Sequence, residues 1–280
     1  MAEGPSITRR RLALEIKRAR ERAGMTQEQV ARHFEWNTAK VARMENARSS
    51  IPPRDVKDLL DLYHDEDESL REALLALSRN GKRRTWYTQY RDIIRGDLIA
   101  LEADADIVKY WEPNVVPGIF QTEAYARALM EAGMPPKERD NLDKHLALRM
   151  ARQRRLTGAN ALQVSAVIDQ SVIHRVIGDL ETMYPQLDAL IEYAQRDNVL
   201  IQILPFDAGA HYFHSGTAVF LEFPDLTDLD ALFLEGMASD QTIEEPPEVK
   251  RYQREFEKLQ ATALSPEATI KLLRKGVRRP

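Results

Sequence analysis

Apolar positions recur at helical spacing through the first 80 residues. Leu12, Ile16, Ala19 and Ala23 mark one face of a first helix, and Gly24 stands where a left-handed residue closes a helix. Thr26 is placed to cap a second helix carrying Val30, Ala31 and Phe34 on one face. Asn37 is placed to cap a third, with Val41 and Met44 inward. Pro52 and Pro53 force a break. Val56, Leu59, Leu60 and Tyr63 then predict a fourth helix, and Leu70, Ala73, Leu74 and Leu77 a fifth.

The pattern changes after the polar, basic stretch Ser78–Arg84 (SRNGKRR), which marks a domain boundary. The division is 1–80, all-α, and 81–280, mixed. In the second part the periodicity predicts helices over Leu98–Tyr110, Glu123–Ala132, Arg139–Leu156, Ser171–Ile177, Pro185–Arg196, Glu248–Ala263 and Pro266–Lys275. Runs of Val, Ile, Leu and Phe between turn residues predict strands over Leu162–Ile168, Val199–Leu204, Thr217–Phe223 and Ala231–Leu234. The expected architecture is multidomain: an N-terminal five-helix domain, then an α+β domain with one small sheet.

Composition narrows the function. The chain has 280 residues, 43% of them hydrophobic and 30% charged, a balance that can fill two cores. It has no cysteine, which excludes a disulfide framework, a thiol nucleophile, an iron–sulfur cluster and a Cys-ligated zinc site. No apolar run approaches the roughly 18 residues of a membrane span. MAEGPSITRRRL lacks the apolar stretch of a secretory leader, so the expected location is cytoplasmic, with no membrane partner.

The net charge of −4 hides an asymmetry. Residues 1–84 carry a balance of +4, the remaining residues −8. The stretch Asp197–Val249 contains 11 acidic residues and no Lys or Arg. A nucleic-acid duplex would be attracted to the first part and repelled by the last.

The stretch that carries chemistry is Met25–Asn46, MTQEQVARHFEWNTAKVARMEN. Two helices of about two turns each meet at a tight turn around Glu35 and Trp36, with Val30, Ala31, Phe34, Val41 and Met44 packing them together. This is a helix-turn-helix pattern, whose second helix fits the major groove of double-stranded DNA. Arg43 can donate two hydrogen bonds to a guanine edge, and Ala39 and the Thr38 methyl can pack on thymine methyls. Trp36 is read as a core plug beside the turn, against a base-stacking alternative. Arg9, Arg10 and Arg11 form either an arm along phosphates or a frayed terminus. Arg79, Lys82, Arg83 and Arg84 are read as a solvated linker before added backbone contacts.

The segment resembles the Cro/repressor helix-turn-helix proteins, the xenobiotic-response-element family. Thr26 and Gln27, Ala31, Val41, and Met44, Glu45 and Asn46 carry the resemblance. It implies phosphate contacts from Gln27, Asn37 and Arg48, base-edge contacts from Thr38, Ala39 and Arg43, and a backbone-directed Lys40. One small module gives limited affinity, so a homodimer reading inverted half-sites is expected. Glu35 departs from the pattern, since many members carry glycine in the turn; a positive φ there would cost about 1 kcal/mol.

LEADADIVKYWEPNVVPGIFQTEAYARALM (101–130), VLIQILPFDAGAH (199–211) and VFLEFPD (219–225) resemble a domain of unknown function that follows the helix-turn-helix in many actinobacterial regulators, some of them antitoxin-like. The resemblance implies a transcriptional regulator, antitoxin-like, whose second domain binds a ligand or a small partner protein encoded nearby. An alternative is a protein-interaction module of a toxin–antitoxin-like pair, with DNA binding secondary.

No catalytic residue, cofactor or metal is expected. His211 and His214 have the spacing of two ligands on a helix but lie between Gly209 and Gly216, and no third ligand is evident. No nucleophile elbow surrounds Ser215, and no glycine-rich phosphate loop is present. Trp86, Tyr87, Tyr90, Tyr110 and Trp111 are read as core before pocket. Asp225–Glu248 is either solvated surface or an acidic face for a basic partner.

Overall fold

A computed structural model describes residues 7–64, 67–80, 86–94, 96–223, 230–236 and 239–276, and the chain divides into two units, Met1–Thr88 and Gln89–Pro280. The basic junction falls partly outside the described residues, Lys82, Arg83 and Arg84 included.

The first unit is built from α1 (Ile7–Arg22), α2 (Gln27–His33), α3 (Thr38–Glu45), α4 (Pro53–Leu62) and α5 (Glu68–Asn80). These are the five helices predicted by the apolar periodicity. Their inward residues form one core, including Leu12, Ile16, Val30, Val41, Met44, Leu59 and Leu74. Arg9, Arg10 and Arg11 lie in the first turns of α1 and are half-buried, so they are not a frayed end.

In the second unit the helix expected over Leu98–Tyr110 is cut short. It forms α6 (Leu98–Asp104), and the chain then becomes β1 (Ile107–Glu112). Beyond it come α7 (Glu123–Gly133), α8 (Leu142–Arg152), β2 (Gln163–Asp169), α9 (Leu180–Tyr193) and β3 (Val199–Leu204). The chain ends in β4 (Ala218–Glu222), β5 (Ala231–Leu234), β6 (Gln241–Ile243), α10 (Pro246–Thr262) and α11 (Pro266–Lys275). The predicted helix at Ser171–Ile177 is only a 3₁₀ turn, Gln170–Ile173.

The sheet therefore has six strands where four were expected, in the order β3-β2-β1-β4-β5-β6. β1, β2 and β3 run parallel, while β4, β5 and β6 are joined antiparallel. β1 is central and pairs on both sides, Trp111 opposite Val167 and Ala218. Strand alternation sends Trp111, Val167, Phe220 and Leu232 to one face, where they pack with Phe256 and Leu259 of α10. Tyr110 and Glu112 point to the other face, towards α6 and α8. The sheet is thus a layer between helices.

Candidate nucleic-acid interface

The helix-turn-helix is fixed by local hydrogen bonds at each helix end. At α2, the Thr26 hydroxyl accepts from the Gln29 N–H (3.2 Å) and the Gln29 side chain accepts from the Thr26 N–H (2.7 Å). That is a capping box. At α3, Asn37 Oδ1 accepts from the Ala39 N–H at 2.8 Å. Between the two helices, the Trp36 N–H donates to Ala31 O (2.7 Å) and the Glu35 N–H to Arg32 O (3.3 Å). This Schellman closure puts its left-handed residue at Glu35, with φ 55°. The strain foreseen for a non-glycine turn is therefore present. Ala47 closes α3 in the same way, with φ 54°.

A buried ionic network locks α3 to α1. Arg20 Nε donates to Glu45 Oε1 at 2.6 Å, and Arg20 Nη2 to Glu45 Oε2 at 3.1 Å. A third Arg20 bond, at 2.6 Å, goes to Met25 O. The bond to Glu45 raises the Arg20 pKa against the opposing effect of burial. Tyr63 stands nearby, its pKa raised by burial and then by the Glu45 charge. A buried pair of this geometry holds together only because every charge has its partner. Sequence periodicity missed Arg20 as part of the site, because only the fold brings it to Glu45.

The candidate DNA-contacting residues separate into two groups. Asn37, Thr38, Ala39, Arg43 and Arg48 are exposed around the N-terminus and outer face of α3 and just beyond it. Gln27 and Lys40 already have partners inside the unit. Gln27 Nε2 donates to Glu45 Oε2 at 2.8 Å. Lys40 Nζ lies 2.9 Å from Asp55 Oδ2 and 3.4 Å from the centroid of the Trp36 ring. Trp36 in turn stacks on Phe34, centroids 4.6 Å apart, and packs on the core. Its role as a plug beside the turn accounts for its position, and Lys40 covers its face.

The second unit contains a separate polar cluster in its interior. Glu102, fully buried, accepts from Arg152 Nε (2.7 Å) and from the Tyr110 hydroxyl (2.6 Å). Burial opposes its ionisation, but the Arg152 charge prevails and holds its pKa below the ordinary value. Arg149 donates to Gln121 Oε1 at 2.6 Å; burial, then repulsion from Arg152, lowers its pKa to about 10. Glu112 accepts from the Thr217 hydroxyl, at 3.0 Å, and burial followed by the Glu235 charge pushes its pKa up to about 8. Gly118 leaves room for the two guanidinium groups: a Cβ there would lie 3.1 Å from Nη1 of both Arg149 and Arg152.

Comparison with known families gives two matches. Residues 11–74 match a helix-turn-helix domain, and residues 95–275 match a domain of unknown function, DUF5753. This chain belongs to the DUF5753 family. No curated protein and no solved structure matches it. The helix-turn-helix supports a DNA-binding regulator, and no described helix is long and apolar enough to cross a membrane.

Within the DUF5753 domain, Tyr110 and Trp111 are core residues, 1% exposed each. His211 and His214 lie in the loop before β4, and no cluster of potential metal ligands forms among the described residues. Of the acidic stretch 225–248, Asp225 and Asp228 lie outside the described residues. Glu222 and Asp230 are engaged by Gln253 of α10, at 3.2 and 3.1 Å. Sequence spacing offered no sign of these pairs, which join residues far apart in the chain.

Proposed function

We propose that this chain is a sequence-specific transcription regulator of the cytoplasm, acting as a homodimer on inverted half-sites. The observation that carries the reading is the division of α3 into two sides. Val41, Met44 and Glu45 are held in the core, while Thr38, Ala39 and Arg43 are free to face solvent beside the Asn37 cap. A helix held rigidly on one side, with a guanidinium and small side chains on the other, has the form that a major groove accepts. The DUF5753 domain is proposed to control this activity by taking a ligand or a small partner protein encoded nearby, in an antitoxin-like arrangement. The proposal gives the chain no catalytic step.

Binding-site selection with the full chain, followed by anisotropy titration, tests this. Arg43→Ala should weaken the selected site by about 1–3 kcal/mol and relax preference at one base position. Arg48→Ala, at an exposed position just beyond α3, should weaken all sequences and lower the salt slope by about one. Wild-type site preference in the Arg43 variant would refute the assignment of α3 as the reading helix.

A second reading makes the first unit a protein-interaction module, with DNA binding secondary. It draws on Gln27 and Lys40, whose polar groups are already engaged by Glu45 and Asp55. Partner capture by a chain with no DNA affinity at low salt would favour it.

A further inference from the structure

The DUF5753 domain contains a cavity of about 430 Å³, within the usual size range of small-molecule pockets. It opens at the carboxyl ends of β1 and β5, where the loop 211–217 enters β4. Ligands of α/β sheets commonly bind at the carboxyl ends of their parallel strands. The lining is specific in chemistry. Tyr212, Phe213 and Tyr252 form a cluster of rings, with Tyr212–Tyr252 centroids 5.6 Å apart and Tyr212–Phe213 5.4 Å. Tyr212 remains 47% exposed, a large half-open ring at the mouth.

The charge of the lining has one sign. Glu235 stands on the rim in contact with solvent, and no Lys or Arg is among the described lining residues. This follows from the sequence: most of the wall is drawn from the basic-free stretch Asp197–Val249. Arg149 and Arg152 act on Glu235 electrostatically, but their hydrogen bonds go to Gln121 and Glu102 and they do not line the cavity. Tyr252 already takes one cation, Arg251, 4.9 Å from its ring centroid. Finally, Nδ1 of His211 is buried with no hydrogen-bond partner among the described residues. The His211 ring stands edge-on to Trp111, centroids 4.8 Å apart, so its orientation is set from behind.

We propose that this cavity binds an organic ammonium compound with an apolar body. The rings of Tyr212, Phe213 and Tyr252 hold the body and attract the charge through their faces. Glu235 balances the charge. Burial lowers the His211 pKa, which keeps a second positive charge away from the ammonium group. A carboxylate ligand would meet Glu235 with like charge, and a neutral one would gain nothing from it.

The inference deepens the ligand arm of the proposed function, and its test needs no DNA. Phenylpropylamine, phenylpropanol and phenylpropanoate are titrated separately into the full chain by calorimetry at neutral pH. The amine should bind, with the alcohol and the acid roughly tenfold weaker or worse. Glu235→Gln should cut the amine's advantage over the alcohol severalfold, leaving only the part the rings supply. Tyr212→Ala, at an exposed position, should weaken amine and alcohol together without loss of the folded state by circular dichroism. Equal binding of amine and alcohol, an amine preference undiminished by Glu235→Gln, or no binding of the amine at millimolar concentration would each overturn the proposal. Failure of DNA recognition would leave all these readouts unchanged.

Discussion

Replacing Glu35 with glycine should stabilise the helix-turn-helix. Glu35 has φ 55° and closes α2 with the bonds Trp36 N–H to Ala31 O and Glu35 N–H to Arg32 O. A side chain in this left-handed region crowds the carbonyl and costs roughly 1–2 kcal/mol. Glycine removes that crowding but adds freedom to the unfolded chain, which takes back about 0.5–1 kcal/mol. The net gain is then about 0.5–1 kcal/mol, since the exposed Glu35 side chain has no hydrogen bond or ion pair to lose among the described residues. For a unit of this size that corresponds to roughly 2–8 °C in melting temperature. Native-state hydrogen exchange of the α2 and α3 amides in the full chain reads the same quantity locally. Glu35→Ala is the control: it keeps the Cβ and should stay within about 0.5 kcal/mol of wild type. Protection in the glycine variant no greater than in the alanine variant would refute the claim that the turn is strained.

Three further outcomes are expected. Glu112 has its folded pKa raised to about 8, above its unfolded value near 4.5, so the folded state retains a proton that the unfolded state has released. This contribution to stability is fully present below about pH 4.5 and is lost as pH rises through 8. Urea titrations from pH 5 to pH 9 should show it, and Glu112→Gln, which keeps a partner for Thr217, should flatten the slope; an unchanged slope would refute the assignment. Arg152→Ala leaves Glu102 as a buried, uncompensated carboxylate and should cost about 3–5 kcal/mol in the same assay, with Glu102→Gln restoring part of it. Asn37→Ala removes the cap of α3 and should cost about 1 kcal/mol of unfolding free energy, read by thermal melting.

The first unit was legible because its helices are amphipathic and local. The periodicity and the caps at Thr26 and Asn37 are all contained within about twenty residues, and the turn strain at Glu35 follows from residue type and motif position. The second unit was less legible where pairing partners are distant. Leu98, Leu101, Ala105 and Val108 have helical spacing, and only the flanking strands β2 and β4 determine that Ile107–Glu112 is extended. β6 spans three residues, too few to give a pattern. At the candidate sites, exposed residues of α3 could be named from spacing. The Arg20–Glu45 pair and the cavity could not, since Tyr252 meets Tyr212 across forty residues of sequence.

The bare Cα of Gly118 has an evolutionary corollary. Two like-charged guanidinium groups pass beside it, one serving Glu102 and the other Gln121. Position 118 is therefore not free to drift alone: a methyl group there asks both guanidinium groups to give way by a few tenths of an ångström, at the expense of their short bonds to Glu102 and Gln121. In relatives of this chain those three sites should change in step.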